Sequence, residues 1–216
     1  MKKLILSIAL CCAATNFFAQ NADPAQLVND GKAALEAKNY QEAYTKFSTY
    51  LTQTNNQDSV IAYNCGVCAD KIKKPAEALK YFDIAVQKKY NLANAYIGKA
   101  GALKDLKKND EYVATLKEGL EANPGNKTLT KLYATYYVNQ GIMAQKAKKM
   151  DAAEEAFKQA IAIQADNVNA LNSLGSLYYS KGANTMKPDV EKAKVEFKAA
   201  IEYWDKLDQL LSADKP

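Results

Sequence analysis

The strongest pattern along the chain is a stripe of small and large apolar residues that returns about every 34 residues. Each stripe opens with a small residue, at Gly31, Gly66, Ala100, Ala134 and Gly175. Each also contains a large apolar residue further on, at Phe47, Phe82, Leu116, Phe157 and Phe197. Positions three and four residues apart share one face of a helix. The pattern therefore predicts five pairs of helices, each burying one stripe against its neighbours.

The fourth and fifth pairs are longer than the first three. Segment 142–150 contains good helix formers and no proline, which predicts that the first helix of the fourth pair extends by about two turns. Segment 183–189 contains Pro188 and is predicted to be a loop before the last helix. That helix is predicted to run from Val190 to Leu211. Polar residues near its end predict the outer face of a capping helix: Asp205, Lys206, Asp208 and Gln209.

The N-terminus has the order of a secretory signal peptide. Lys2 and Lys3 precede a short apolar segment, and small Ala19 follows at the predicted cleavage site. Residues 1–19 are therefore predicted to direct export to the periplasm or cell envelope. A lipoprotein acylated on a cysteine in segment 11–12 is the alternative, although bulky Leu10 occupies the place of the expected small residue. No later apolar stretch reaches the roughly 18 residues that a membrane span requires.

Composition narrows the range of functions. All 29 basic residues of the 216 are lysines, because the chain has neither arginine nor histidine. Histidine is the usual acid–base group near neutral pH, and arginine is the usual clamp for phosphate. The net charge of +5 is too weak to indicate nucleic-acid binding. The sequence therefore predicts a non-catalytic protein with no cofactor, no metal site and no nucleic-acid partner.

Cys65 and Cys68 form the one CxxC motif after the predicted signal peptide. A redox pair, a disulfide and simple core packing are the three interpretations. Thioredoxin-type pairs lie at a helix N-terminus, where the thiol pKa is lowered. Here the pair falls in the middle of a predicted helix, which favours core packing. A zinc site would need two more ligands.

The repeat pattern resembles that of the tetratricopeptide-repeat (TPR) family over residues 24–216. Segments 39–47 (N-Y-x-E-A-x-x-x-F) and 171–178 (L-x-x-L-G-x-x-Y) carry the resemblance best, and segment 123–126 (N-P-G-N) resembles a closing turn. The resemblance implies an all-α solenoid of about five helix-turn-helix repeats and a C-terminal capping helix. The repeats are expected to start near residues 24, 59, 93, 127 and 168.

The resemblance also implies a protein- or peptide-binding scaffold whose concave wall is lined by the first helix of each repeat. Asn64 fits a position at which some TPR domains hold a peptide carboxylate, although Val28 stands where such a clamp needs lysine. Tyr63 and Tyr179 are expected to face the concave side as aromatic anchors. The full set of expected partner-binding residues is Lys32, Tyr63, Asn64, Val67, Lys71, Ile97, Gly101, Lys104, Lys131, Thr135, Asn172, Ser176 and Tyr179.

Lysines recur where the first helix of a repeat turns into the second. They are Lys38, Lys73, Lys74, Lys107, Lys108, Lys148, Lys149 and Lys181. Cations are favourable at helix C-termini, which explains the pattern without a function. The alternative is a lysine-lined edge that associates with lipid headgroups or acidic glycans, in which case membrane association would be peripheral. The oligomeric state stays open.

Overall fold

A computed structural model describes residues 22–213 of the chain, which form helices and no strand. The all-α prediction is confirmed for this part of the chain. The predicted signal peptide lies outside the described residues. The helices are α1 (Pro24–Glu36), α2 (Tyr40–Gln53), α3 (Ser59–Lys71), α4 (Pro75–Gln87), α5 (Leu92–Asp105), α6 (Asn109–Ala122), α7 (Lys127–Lys146), α8 (Met150–Ile163), α9 (Val168–Thr185) and α10 (Val190–Ala213).

Short polar residues fix where several helices begin. The carboxylate of Asp58 accepts hydrogen bonds from the first-turn N–H groups of α3, at Val60 (2.9 Å) and Ile61 (3.0 Å). The side chains of Asn126 and Asn167 accept equivalent bonds at α7 and α9. Such caps satisfy backbone donors that have no partner inside the helix.

Helices α1–α6 belong to one compact unit and α7–α10 to a second, with the boundary between Pro124 and Gly125. The first unit is centred on large side chains that are fully buried: Phe47, Leu51, Ile61, Leu103 and Leu116. The core of the second unit is built from Phe157, Leu174 and Leu177 with small residues of α8 and α9. Each unit thus has a hydrophobic core of its own.

A polar network also joins α8 to α9 in the second unit. Lys158 bonds Glu154 at 2.6 Å along α8, and the Tyr178 hydroxyl of α9 donates to the same carboxylate at 2.6 Å. Lys181 of α9 forms a short ion pair with Glu154. Partial burial acts to raise the pKa of Glu154, but hydrogen bonds from Lys158, Lys181 and Tyr178 outweigh it and lower that pKa to about 2. The carboxylate is therefore held in its charged form.

A close contact between glycine and phenylalanine sets the register of the helix pairs. The ring of Phe47 lies over Gly31 in the first pair. In the fourth pair the ring of Phe157 lies over Gly141, which is seven residues beyond the Ala134 that the sequence pattern aligned. The fifth pair shows the same displacement, with Phe197 over Gly182 rather than over the aligned Gly175. That part of the alignment is wrong, because a longer first helix moves the contact by about two turns.

The connections of the longer pairs also differ from the prediction. Helix α7 has 20 residues and ends at Lys146, so its extension is about one turn shorter than segment 142–150 suggested. Helix α9 continues to Thr185, and the predicted loop 183–189 shrinks to four residues. Lys181 therefore lies inside α9 and not at a turn.

Four of the predicted turn lysines adopt a left-handed backbone conformation. The φ angles are 58° at Lys38, 58° at Lys73, 59° at Lys107 and 57° at Lys148. At each turn, this residue and the next donate backbone hydrogen bonds back to the preceding helix, as from Lys73 to Asp70 (3.0 Å). Glycine is the residue that most often occupies such a helix-ending position.

Candidate functional site

A hollow of about 360 Å³ opens on the first helices of the second and third repeats, within the first unit. Helices α3 and α5 form its walls, and one side chain of α4 lies between them. The lining residues are Tyr63, Val67, Asp70, Lys71, Phe82, Asn94, Ile97, Gly98 and Gly101. Apolar walls with a few polar groups at the edge are typical of sites that bind a ligand side chain.

Phe82 forms the floor of the hollow. Its ring packs against Gly66 of α3 and Gly98 of α5. A Cβ atom would overlap the ring at Gly98 and would lie tightly against it, at 3.0 Å, at Gly66. Tyr63 packs edge-on against the same ring, with the centroids 5.9 Å apart, and against Tyr90 at 5.8 Å. Partial burial is the main cause that raises the pKa of Tyr63, and the nearby Tyr90 raises this pKa further. The floor is therefore a rigid aromatic surface.

Gly101 leaves a gap in the wall that α5 forms on the hollow. A Cβ atom at this position would have no neighbour within 4 Å, whereas one at Gly98, a single turn earlier, would overlap Phe82. Glycine in the middle of a helix costs about 1 kcal/mol relative to alanine. At Gly98, the close packing of Phe82 explains why glycine is present in spite of this cost. At Gly101, no such packing explains it. The missing side chain at Gly101 gives an approaching molecule direct access to the backbone of α5.

Charged and amide groups lie at the edge of the hollow. Asp70 and Lys71 come from the last turn of α3, and Asn94 comes from the first turn of α5. Lys71 and Asn94 are exposed to solvent, and Asp70 is partly exposed. This edge offers a cation, an anion and an amide, which can bond the backbone and polar side chains of a peptide.

The structure brings together five of the residues expected on the concave wall. Tyr63, Val67, Lys71, Ile97 and Gly101 all line the hollow. The remaining expected residues of the first unit, which lie outside this lining, are Lys32 on α1, Asn64 on α3 and Lys104 on α5.

Four residues of the lining were not predicted from the sequence: Asp70, Phe82, Asn94 and Gly98. Phe82 was assigned to the core stripe, and it serves both the core and the hollow. Asn94 could have been found from spacing, because it lies three and seven residues before Ile97 and Gly101 on one helix face.

The expected residues of the second unit lie on α7 and α9, and all of them are exposed: Lys131, Thr135, Asn172, Ser176 and Tyr179. The side chain of Tyr179 is 54% exposed. Its ring contacts two aromatic residues of α10, with centroids 5.5 Å from Phe197 and 6.0 Å from Trp204. An aromatic surface is therefore present in this unit too.

The CxxC pair is part of the core. Cys65 and Cys68 are unpaired thiols with no exposed surface. Burial is the main cause that raises the pKa of both thiols, to about 11 at Cys68. Because the thiolate is the reactive form, both groups are chemically inert in the folded protein. The packing interpretation of this motif is confirmed.

Two further features are absent from residues 22–213. Their Cys, Asp and Glu side chains nowhere gather in the groups of three or more that hold a metal ion. None of their helices combines the length and the apolar composition that crossing a bilayer demands.

Comparison with solved structures identifies the family. A TPR repeats protein from Bacteroides fragilis NCTC 9343 is 50% identical, with a TM-score of 0.71 over 88% of this chain and 89% of that chain. Two MamA structures are alike in fold alone. One has 18% identity and a TM-score of 0.50, covering 87% of this chain and 91% of its own. The other, MamA AMB-1, has 14% identity and a TM-score of 0.53, covering 89% and 93%. No protein-family model and no curated protein matches the sequence.

Stacked helix pairs that leave an open hollow on their surface are the architecture of a helical-repeat scaffold for protein interaction. The chain belongs to the TPR repeat family. Proteins of this family commonly bind proteins or peptides.

Proposed function

We propose that this protein is a non-catalytic scaffold of the cell envelope that binds a protein or peptide in the hollow of its first unit. The open wall at Gly101 is the observation that carries the proposal. Gly101 weakens its own helix, and a Cβ atom there would meet no neighbour within 4 Å. A bound partner in the space above Gly101 would explain why glycine occupies this position.

The chemistry of the lining favours an extended peptide with one apolar or aromatic side chain. That side chain would rest on Phe82 and Tyr63, whose rings already pack in a T-shaped arrangement. Aromatic residues of this kind often dominate the binding energy of an interface. Asn94 would bond the peptide backbone, and Lys71 would attract an acidic neighbour in the ligand.

Filling the hollow tests the proposal. Gly101→Leu places an aliphatic side chain in open space, so it should leave the melting temperature unchanged or higher while it blocks the ligand. Gly101→Ala is the matched control, because one methyl group leaves most of the hollow free. Crosslinked pull-down from an envelope extract should recover a defined partner with the parent chain and the alanine variant. Equal recovery with the leucine variant would count against this site.

Tyr63 is less suitable as a probe. Its contacts with Phe82 and Tyr90 mean that Tyr63→Ala would also loosen the first unit. Lys71→Ala, at an exposed position on the edge of the hollow, removes a charge without that side effect.

The proposal of export to the cell envelope depends on the predicted signal peptide, residues 1–19. Fractionation of the producing cells should place the protein outside the cytoplasm, and N-terminal sequencing should find a start near Gln20. A protein that keeps Met1 and remains in the cytoplasm would refute this part of the proposal.

Peripheral association with an anionic surface is the second candidate. Its specific support is that lysine occupies left-handed turns, such as those at Lys73 and Lys107, where glycine avoids a cost of about 1–2 kcal/mol. Lys73→Gly with Lys107→Gly keeps these turns and removes one lysine charge from each. Binding of the parent chain to phosphatidylglycerol vesicles or acidic glycan at low salt should weaken in this variant. A parent chain that binds neither surface would eliminate the candidate.

A further inference from the structure

Helix α10 carries an outward stripe with the spacing of a coiled-coil seam. The stripe alternates steps of four and three residues over three heptads, and five of its seven positions are apolar. Its members are Val190, Lys194, Phe197, Ile201, Trp204, Asp208 and Leu211. We call these residues the α10 seam. Such a pattern is expected of a helix that packs against another helix along its length.

The α10 seam is exposed although α10 packs on α9. Buried Ala193 and Ala200 mark the face of α10 that contacts α9. Val190, Ile201 and Leu211 of the seam are 54%, 55% and 49% exposed. Phe197 and Trp204 are only half-buried, because their rings cover glycines of α9 from one side. The α10 seam is therefore an apolar surface beside the α9 contact, and the polar outer face predicted for a cap holds only for the last turns.

The two charged positions of the seam indicate what covers it. We propose that the α10 seam binds the same seam of a second copy of this chain, with the two helices antiparallel about a two-fold axis at Ile201. In that register Lys194 of each copy lies opposite Asp208 of the other. The same register brings Phe197 to within one residue of Trp204 of the other copy, and Val190 to within one residue of Leu211. A single register therefore pairs unlike charges and brings the apolar positions close together.

Two independent features agree with this register. The flanking positions Lys198 and Asp205, both exposed, also come within one residue of each other across the axis and carry opposite charges. In addition, α10 runs from Val190 to Ala213, so its midpoint lies next to Ile201. Two copies centred there overlap over the whole helix, a length of about 36 Å. Self-complementarity of one patch is the geometric requirement of a two-fold dimer.

Sedimentation equilibrium of the purified chain from about 1 to 200 μM tests the dimer, a range that spans typical weak association. The parent chain should be dimeric at the upper end. Ile201→Glu brings two carboxylates together at the axis and should raise the dissociation constant by about 100-fold or more. Val195→Glu is the matched control. Val195 is 69% exposed on α10 but lies off the seam, so this variant should dimerise like the parent. Melting curves at low concentration should show that both variants fold.

Charge reversal tests the register itself. Lys194→Asp or Asp208→Lys alone creates two like-charge pairs by symmetry, and each should weaken the dimer by about 10-fold or more. The double variant exchanges the charges and should return the dissociation constant to near the parent value. A parent chain that is monomeric throughout, or one that binds only a different protein through this seam, would overturn the proposal. So would a dimer that is indifferent to Ile201→Glu, or a double variant no better than the single ones.

Discussion

Two glycines one turn apart on α5 should respond in opposite directions to the same substitution. Gly101→Ala adds a methyl group to open space, because nothing lies within 4 Å of the new atom. The only effect is then the better helix propensity of alanine, which stabilises the protein by about 1 kcal/mol. Gly98→Ala gains the same propensity but places its methyl group within 2.6 Å of three ring carbons of Phe82.

Phe82 has little freedom to move away from that methyl group. Its side chain is 3% exposed, and Gly66 of α3 also lies close to the ring. Over-packing of this kind costs about 1–3 kcal/mol. After the gain in propensity, Gly98→Ala should be less stable than the parent by up to about 2 kcal/mol. The two variants should therefore differ from each other by about 1–3 kcal/mol.

Urea unfolding followed by far-ultraviolet circular dichroism measures this difference, with the midpoints compared at equal slope. Gly101→Ala should move the midpoint up and Gly98→Ala should move it down. Equal stabilisation by both variants would mean that Phe82 is not held between α3 and α5. The assignment of Phe82 as the floor of the hollow would then be wrong. A destabilising Gly101→Ala would mean that the hollow is filled by the protein itself.

Three other substitutions test the cores of the two units. Gly175→Leu should destabilise by several kcal/mol and alter the fluorescence of Trp204, because even a Cβ atom at this position overlaps the indole ring. Replacing both Cys65 and Cys68 by alanine should cost only about 1–2 kcal/mol in a thermal or urea melt, and ligand capture should survive; lost capture in a folded variant would reopen a thiol-dependent role. Glu154→Gln should lower stability at neutral pH by at most about 3 kcal/mol. The depressed pKa of Glu154 stabilises the fold fully above about pH 4.5, and this contribution is lost as the pH falls towards 2. The glutamine variant should therefore show a smaller acid dependence in urea melts at pH 5 and pH 3, and an unchanged dependence would discount the polar network.

The sequence predicted the helix pairs because their pattern is local. Small and large apolar residues alternate on one helix face, and caps such as Asp58 stand at fixed places. The same reasoning misplaced the contact of Phe157 by two turns. Seven residues rotate a helix by nearly two full turns, so Ala134 and Gly141 lie on the same face and satisfy the pattern equally well. Which of them meets Phe157 depends on the lengths of both helices, which the local pattern does not contain.

The hollow was predicted in part for a related reason. Positions on the first helices, such as Tyr63 and Gly101, follow from the repeat alone. Phe82 belongs to a second helix, and only packing shows that its ring reaches the surface between Gly66 and Gly98. Lys181 was misplaced because segment 183–189 was predicted to be a loop, whereas α9 continues to Thr185 and its Gly182 accommodates the ring of Phe197.

The placement of two rare residue types gives each unit its own spectroscopic or chemical reporter. The single tryptophan, Trp204, lies in the second unit, and the buried thiols of Cys65 and Cys68 lie in the first. Alkylation of these thiols requires the first unit to open, since both are fully buried. Indole fluorescence follows the second unit alone. A denaturant titration of the protein without any substitution can therefore compare thiol alkylation with indole fluorescence. The comparison shows whether the two units unfold together or in sequence.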